Sequence, residues 1–359
     1  MNLSFSRFRQ DVELAEQRAL FSSAFPENAG LPPESEAFYL RKFGGFPHQP
    51  PAYEYIARDP DGMAGYYAAI PLTYQINGED FLCGMVCDVM TAPRMQGKGV
   101  FTKLGAYSLD SLGKDGVDFV TGFPRRPAVI PGHLKVGWKI AFRLPLYLMP
   151  LRTNALLASR GVGMLAPIAN MLLKATLGIL QFFAPGTEGL NVREWDWKEF
   201  LADQDYAGFL RQWRAQSRNS LEKNEAYLRW RLGFQGVDYR IVSAHRGDKL
   251  IGLSILRSCR PNGVPSLALM DIMTLESEQS VLSVLVDGWR RLAARTGDEV
   301  VLTMMSEHHA TRRSLWLFGF LRTPAVFFLI IKCLSDRARE KVLPNPSHWD
   351  LMWIDCDDL

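Results

Sequence analysis

The chain has little that would tie it together through covalent bridges or metal. Its five cysteines, Cys83, Cys87, Cys259, Cys333 and Cys356, are odd in number and lack ligand spacing. That argues against a disulfide framework or a zinc module and reads as reduced thiols in a cytoplasmic protein. Cys83 and Cys87 fall in or beside a predicted strand and are expected in the core. Excess charge of one sign is also scarce. A net charge of +3 over 359 residues gives no electrostatic case for nucleic acid. The pairs Arg125-Arg126, Arg290-Arg291 and Arg312-Arg313 read as solvated faces or helix ends. A secretory leader is not expected, because Arg9 and acidic residues follow Met1 to Phe8 before an apolar stretch can build up. One long apolar run does exist. Residues 161–183 carry Lys174 as their single charge, and their length suits a bilayer span, but Pro167, Asn170, Lys174 and Gln181 interrupt them. Leu165, Ile168, Leu172, Ala175, Ile179 and Phe182 fall on one stripe. The expectation is an amphipathic helix, buried or packed on a subunit, with membrane-surface contact as the alternative.

The rest is the composition of a soluble globular protein, 47% hydrophobic and 22% charged, on a chain long enough for two cores. Its most informative stretch runs from Val86 to Phe101. A strand breaks at Pro93, a loop carries Gly97 and Gly99, and a helix opens at Val100, with Val100, Phe101, Leu104, Tyr107 and Leu109 near helical spacing. Such a loop aims unpaired backbone N–H groups one way, the helix dipole adds positive charge, and Lys98 adds more, which suits a phosphate or pyrophosphate. The two glycines let the backbone approach a ligand closely. An ordinary tight turn is the alternative reading.

Gln96-Gly97-Lys98-Gly99-Val100-Phe101 resembles the acyl-CoA pyrophosphate loop of the GNAT acyltransferase superfamily, and Thr91-Ala92-Pro93 resembles the step that precedes it there. Phe101 departs from that pattern, since a small residue is usual, and a bulky ring there must turn into helix packing. Around the loop the predicted order also resembles a GNAT domain. A helix over Arg9 to Phe25 precedes strands over 52–58 and 63–72, joined at Asp59-Pro60-Asp61-Gly62. A second hairpin, 74–77 with 81–90, turns at Asn77-Gly78. After the loop and its helix come a strand at Val117 to Phe123, a short helix near Gly132 to Val136, and a strand from Trp138 to Met149.

A weaker echo of that order follows from Tyr239 to Cys333, with a long helix over Ser280 to Thr296, and Gly319-Phe320 stands where Gly137-Trp138 stands in the first half. The fold class expected is α/β (α+β): two tandem GNAT-like domains, each a mixed, mainly antiparallel sheet flanked by helices. The division expected is an acyl-CoA-binding domain over 1–150, an apolar helical connector over 151–190, a degenerate second domain over 191–335, and a C-terminal strand or tail over 336–359. After Asp271-Ile272-Met273-Thr274 the second half has Glu276 and Glu278 and no glycine, so it is not expected to hold a pyrophosphate.

The resemblance implies a set of site residues. Val89 and Thr91 match the backbone positions that pair with pantetheine or polarise the thioester. Arg94, Gln96, Gly97, Lys98, Gly99, Val100 and Phe101 form the cofactor loop, and Arg125, where related proteins carry asparagine, would meet a CoA phosphate or an acidic acceptor. His133 matches the place of a tyrosine acid and could shuttle protons near neutral pH, or be a capping histidine. Asp88 is a candidate base, although strand alternation puts it on the face opposite Val89, where a structural carboxylate is the alternative. The segment Ser347 to Leu359 is either an aromatic and acidic acceptor surface or an edge strand with a solvated tip. No cysteine or serine has an activating partner in the sequence, so direct transfer is expected.

The implied function is an N-acyltransferase that uses acetyl-CoA or another acyl-CoA and a small-molecule or sugar amine, of bacterial tandem type, with a homodimer as a candidate assembly. The alternatives are a non-catalytic scaffold of the same fold and a peripheral membrane enzyme acting on a lipid-linked acceptor.

Overall fold

The computed structural model describes residues 2–216, 219–275, 279–342 and 349–356. The first half contains β1 (Ser4–Arg7), α1 (Gln10–Ala24), α2 (Glu36–Tyr39), β2 (Tyr53–Asp59), β3 (Gly62–Ile76), β4 (Glu79–Thr91), α3 (Val100–Lys114), β5 (Phe119–Gly122), α4 (Ile130–Lys135) and β6 (Lys139–Pro150). Helices α5 (Asn154–Ala158) and α6 (Ala166–Phe182) connect it to the second half. There follow β7 (Leu190–Asp196), α7 (Trp197–Asp203), α8 (Tyr206–Gln216), β8 (Asn219–Leu221), α9 (Glu225–Leu232), β9 (Tyr239–Arg246) and β10 (Lys249–Cys259). The chain closes with β11 (Ser266–Thr274), α10 (Gln279–Thr296), β12 (Val300–Met304), α11 (Arg312–Leu317), β13 (Leu321–Cys333) and α12 (Asp336–Lys341).

The strands form one sheet in the order β1-β2-β3-β4-β5-β13-β6-β12-β11-β10-β9-β7, with β8 attached to the far end of β3. The order is symmetric about the β13–β6 pair, each first-half strand being mirrored by its second-half counterpart. β4–β5 and β11–β12 are parallel pairs, and the other neighbours are antiparallel. Strand β13 lies between β5 and β6, while β6 lies between β13 and β12, so each half is completed by a strand of the other. The sequence motif repeats in register as well: Gly65 faces Thr91 of Asp88-Val89-Met90-Thr91, and Gly252 faces Thr274 of Asp271-Ile272-Met273-Thr274.

Three expectations are corrected. β3 is one strand of 15 residues rather than two. Pro71 is tolerated within it because the β2 pairing ends at Ala69 and the β8 pairing begins at Tyr74, so its missing N–H falls in the gap. The described part of the C-terminal segment, residues 349–356, is not an exposed acceptor surface, and the acidic tip lies outside the described residues. Trp349, Leu351, Met352, Ile354 and Asp355 are buried, and Trp349 packs against Tyr74 and Phe142 with ring centres 5.7 and 5.3 Å away. Finally, α6 is not a buried helix, since Ala166 is its one buried residue.

Candidate active site

The parallel partners β4 and β5 pair only from Cys83–Phe119 to Val86–Gly122. Beyond Val86, β4 runs on to Thr91 while β5 ends, so the edge of Cys87 to Thr91 that faces β5 is open. A cavity of about 410 Å³ occupies that opening, with Val86, Cys87, Asp88 and Val89 on one side and Gly122, Phe123, Pro124 and Arg125 on the other. Helices α1 and α2, Lys42 just after α2, and α4 close it.

A β-bulge shapes the β4 side. Tyr66 pairs with Met90 and Ala68 with Cys87, so Asp88 and Val89 together oppose Tyr67, and Asp88 takes the left-handed φ of 48°. The bulge cancels the alternation that set Asp88 opposite Val89, and both residues line the cavity. Asp88 accepts a hydrogen bond from Lys42 Nζ at 3.0 Å, in a pair whose lysine is almost wholly buried.

The polar groups behind that pair were not anticipated from sequence. Tyr39 donates to Glu54 Oε1 at 2.5 Å, and Tyr66 donates to the same oxygen. Burial raises the Glu54 pKa even though these hydroxyls oppose the shift. The Arg18 guanidinium lies over the rings of Phe21 and Tyr39 at 4.5 and 4.9 Å, and burial lowers its pKa. The one sequence signal for this cluster was a lysine inside the aromatic stretch Phe38 to Phe46. The cavity lining thus carries Arg18, Lys42, Arg125 and Arg126 against Asp88 and Glu27.

The loop ahead of α3 takes the shape its glycines permit. Gly97 and Gly99 have φ of 74° and 77°, and Gly99 caps α3 in the left-handed conformation. The first-turn N–H groups of α3 have no intrahelical acceptor, and Gln96, Lys98 and Gly99 are exposed beside them. Val100 is buried in the core beneath the loop. Arg94 turns instead toward the β2–β3 connection and pairs with Asp59. Thr91 lies outside the cavity lining, and its hydroxyl has no partner among the described residues.

Phe101 does turn into helix packing. Its ring rests on Gly132 of α4, where an added Cβ would come within 2.6 Å of a ring carbon, and it meets His133 edge-on at 4.9 Å between ring centres. His133 is also packed on Trp138, and burial pushes its pKa down to about 4. Burial thus favours its uncharged imidazole at neutral pH. Phe123 and Arg125 also line a second cavity of about 470 Å³, with Leu146, Leu148, Met304 and Phe327 among its apolar walls.

The matching place in the second half is filled. β11 and β12 pair only from Ser266–Val300 to Leu269–Thr303. Past that point the chain's own end moves in: Met352 bridges to Met305, and Ser306 N donates to Leu351 O. Lys223, Asp271 and Asp355 lie buried beside it, with Lys223 Nζ 2.9 Å from Asp271 and 3.9 Å from Asp355. Burial works against the Lys223 charge, but the two carboxylates outweigh it and raise its pKa. Glu276 and Glu278 lie outside the described residues.

Residues 7–141 match the family described as acetyltransferase (GNAT) domain. No curated protein matches the chain. Among solved structures it is similar to a GCN5-related N-acetyltransferase from Anabaena variabilis, at 13% identity and a TM-score of 0.64, covering 93% of this chain and 73% of that one. A conserved protein of unknown function from Enterococcus faecalis, described as a probable N-acyltransferase, gives 12% and 0.66 with the same coverage. A GCN5-related N-acetyltransferase from Kribbella flavida gives 13% and 0.61, covering 92% and 71%. These likenesses establish a mixed α/β fold with a mostly antiparallel sheet flanked by helices. The family match spans somewhat over a third of the chain, and within it residues 7–141 are similar to an acetyltransferase domain of the GNAT type.

Proposed function

We propose that the protein is an acyl-CoA-dependent N-acyltransferase, with acetyl as the group moved, and that it works from one site in the first of two GNAT-like repeats. The observation that carries this reading is the open edge of β4 beside the Gln96 to Gly99 loop, set against its filled counterpart in the second half. Extended pantetheine fits an unpaired strand edge at Val89 to Thr91, and a pyrophosphate fits the N–H groups at the start of α3.

The acceptor amine would then enter the 410 Å³ cavity. Its nitrogen attacks the thioester carbonyl carbon, the C–S bond breaks, CoA leaves as the thiolate, and the amine gives up a proton. The cationic lining of Arg18, Lys42 and Arg125 disfavours an ammonium and so favours the neutral, nucleophilic amine. Asp88 is the carboxylate placed to take the proton, and Lys42 holds it in position. His133, uncharged, offers a hydrogen bond at the cavity wall rather than a cationic acid. The second cavity shares Phe123 and Arg125 with the first, which favours an amine carrying an apolar body.

Calorimetric titration of acetyl-CoA into the wild type and Gly99→Glu tests the binding half of this reading. Micromolar affinity is expected for the wild type, reduced at least about 100-fold by the carboxylate, equivalent to about 3 kcal/mol. Asp88→Asn should keep the affinity and lose most turnover in an amine screen. A folded wild type that binds no acyl-CoA would leave the scaffold alternative standing.

A further inference from the structure

We propose that the outward stripe of α6 docks the protein on the surface of an anionic lipid bilayer. Helix α6 has two apolar faces. Asn170, Leu173, Leu177 and Leu180 are half-buried against the protein. The stripe of Leu165, Ile168, Leu172, Ile179 and Phe182 points the other way and is 51 to 81% exposed. In a helix that packs only on its own protein the larger apolar stripe faces inward, and here it faces out.

The helix is held in that orientation. Asn170 Oδ1 accepts from Thr153 N at 2.8 Å and from Thr153 Oγ1 at 2.9 Å, while Asn170 Nδ2 donates to Asn154 at 2.9 Å. Leu177 and Leu180 close over Gly319, whose added Cβ would lie 3.2 and 3.4 Å from their methyls. Gly319 joins α11 to β13, and there Trp316 and Leu321 are 70 and 56% exposed.

Charge identifies the occupant. Residues 127–187 contain no aspartate or glutamate, but they hold Lys135, Lys139, Arg143, Arg152, Arg160 and Lys174, all exposed. A chain of net charge +3 thus concentrates its positive charge in the segment that bears the exposed stripe. An exposed apolar stripe within such a segment is the pattern of a helix lying in an anionic membrane interface. A span would have to break the Asn170 and Gly319 contacts.

The test is flotation of the full chain with vesicles of phosphatidylcholine alone or of phosphatidylcholine mixed with phosphatidylglycerol. The expected result is at least about tenfold more protein on the anionic vesicles, an excess removed by high salt. I168E/L172E should abolish flotation, and Lys174→Glu should weaken it while leaving the stripe intact. Both variants should bind acetyl-CoA like the wild type, which separates failure here from failure of the acyl-transfer reading. A wild type that stays off anionic vesicles would overturn the proposal. So would a dimer that I168E/L172E converts to monomer, or vesicle binding that resists alkaline carbonate.

Discussion

At the scale of single residues, the site depends on pairs in which one side chain decides what its neighbour can be. Phe101 stands at the head of α3, and Gly132 is what admits its ring. Gly132→Ala should force the ring off its position at a cost of about 1–3 kcal/mol, as overpacking does. The double variant with Phe101→Leu should recover most of that loss, because the clash is with the ring alone. Equal destabilisation of Gly132→Ala in both backgrounds, read from urea midpoints, would show that α4 rejects the methyl for another reason.

His133 gives a pH signature. Its unfolded imidazole titrates near 6.5 and its native one at about 4, so the unfolded chain binds the extra proton between those values. The contribution is complete above the higher value and is lost as pH falls toward the lower, an effect of at most about 3 kcal/mol. His133→Gln should flatten the decline in urea midpoint over that window. An unchanged slope would mean that another group sets it.

At the scale of elements, much was legible. The Asp59 to Gly62 and Asn77-Gly78 turns, the α3 loop and the long α10 follow from local chemistry, since positive φ at Asn77 and Gly78 is what a two-residue hairpin needs. The bulge in β4 was not legible. Nothing in Cys87-Asp88-Val89 marks the position where two residues oppose one, and alternation then assigns Asp88 to the wrong face. The pairing of Asp88 with Lys42 was hidden for a similar reason, because it joins residues 46 apart on elements brought together only by the tertiary fold. For α6 the periodicity was readable but its direction was not. A hydrophobic stripe says that one face is apolar, and only the contacts of Asn170, Leu177 and Leu180 show that this face looks outward.

At the scale of the whole molecule, the sheet order sets what can fold alone. In the first half β5 pairs with Ile330 to Cys333 of β13, and β6 pairs with β13 on one side and β12 on the other. A fragment of residues 1–150 would keep the Gln96 to Gly99 loop and the open β4 edge. It would lose the strand that stands between β5 and β6, leaving the β13-facing edge of Phe119 to Gly122 and both edges of β6 unpaired. Unpaired buried backbone groups cost roughly 1–3 kcal/mol each, which exceeds the margin by which a domain is stable once several are involved. The second half has the reciprocal need, since β12 loses its β6 partner. Residues 1–150 expressed alone should therefore aggregate or lack a cooperative thermal transition. Co-expressed with residues 151–359, they should elute as a one-to-one complex that binds acetyl-CoA like the intact chain. If residues 1–150 melt cooperatively and bind acetyl-CoA alone, β13 is a replaceable neighbour, and the first repeat is a self-sufficient enzyme core to which the second has been added.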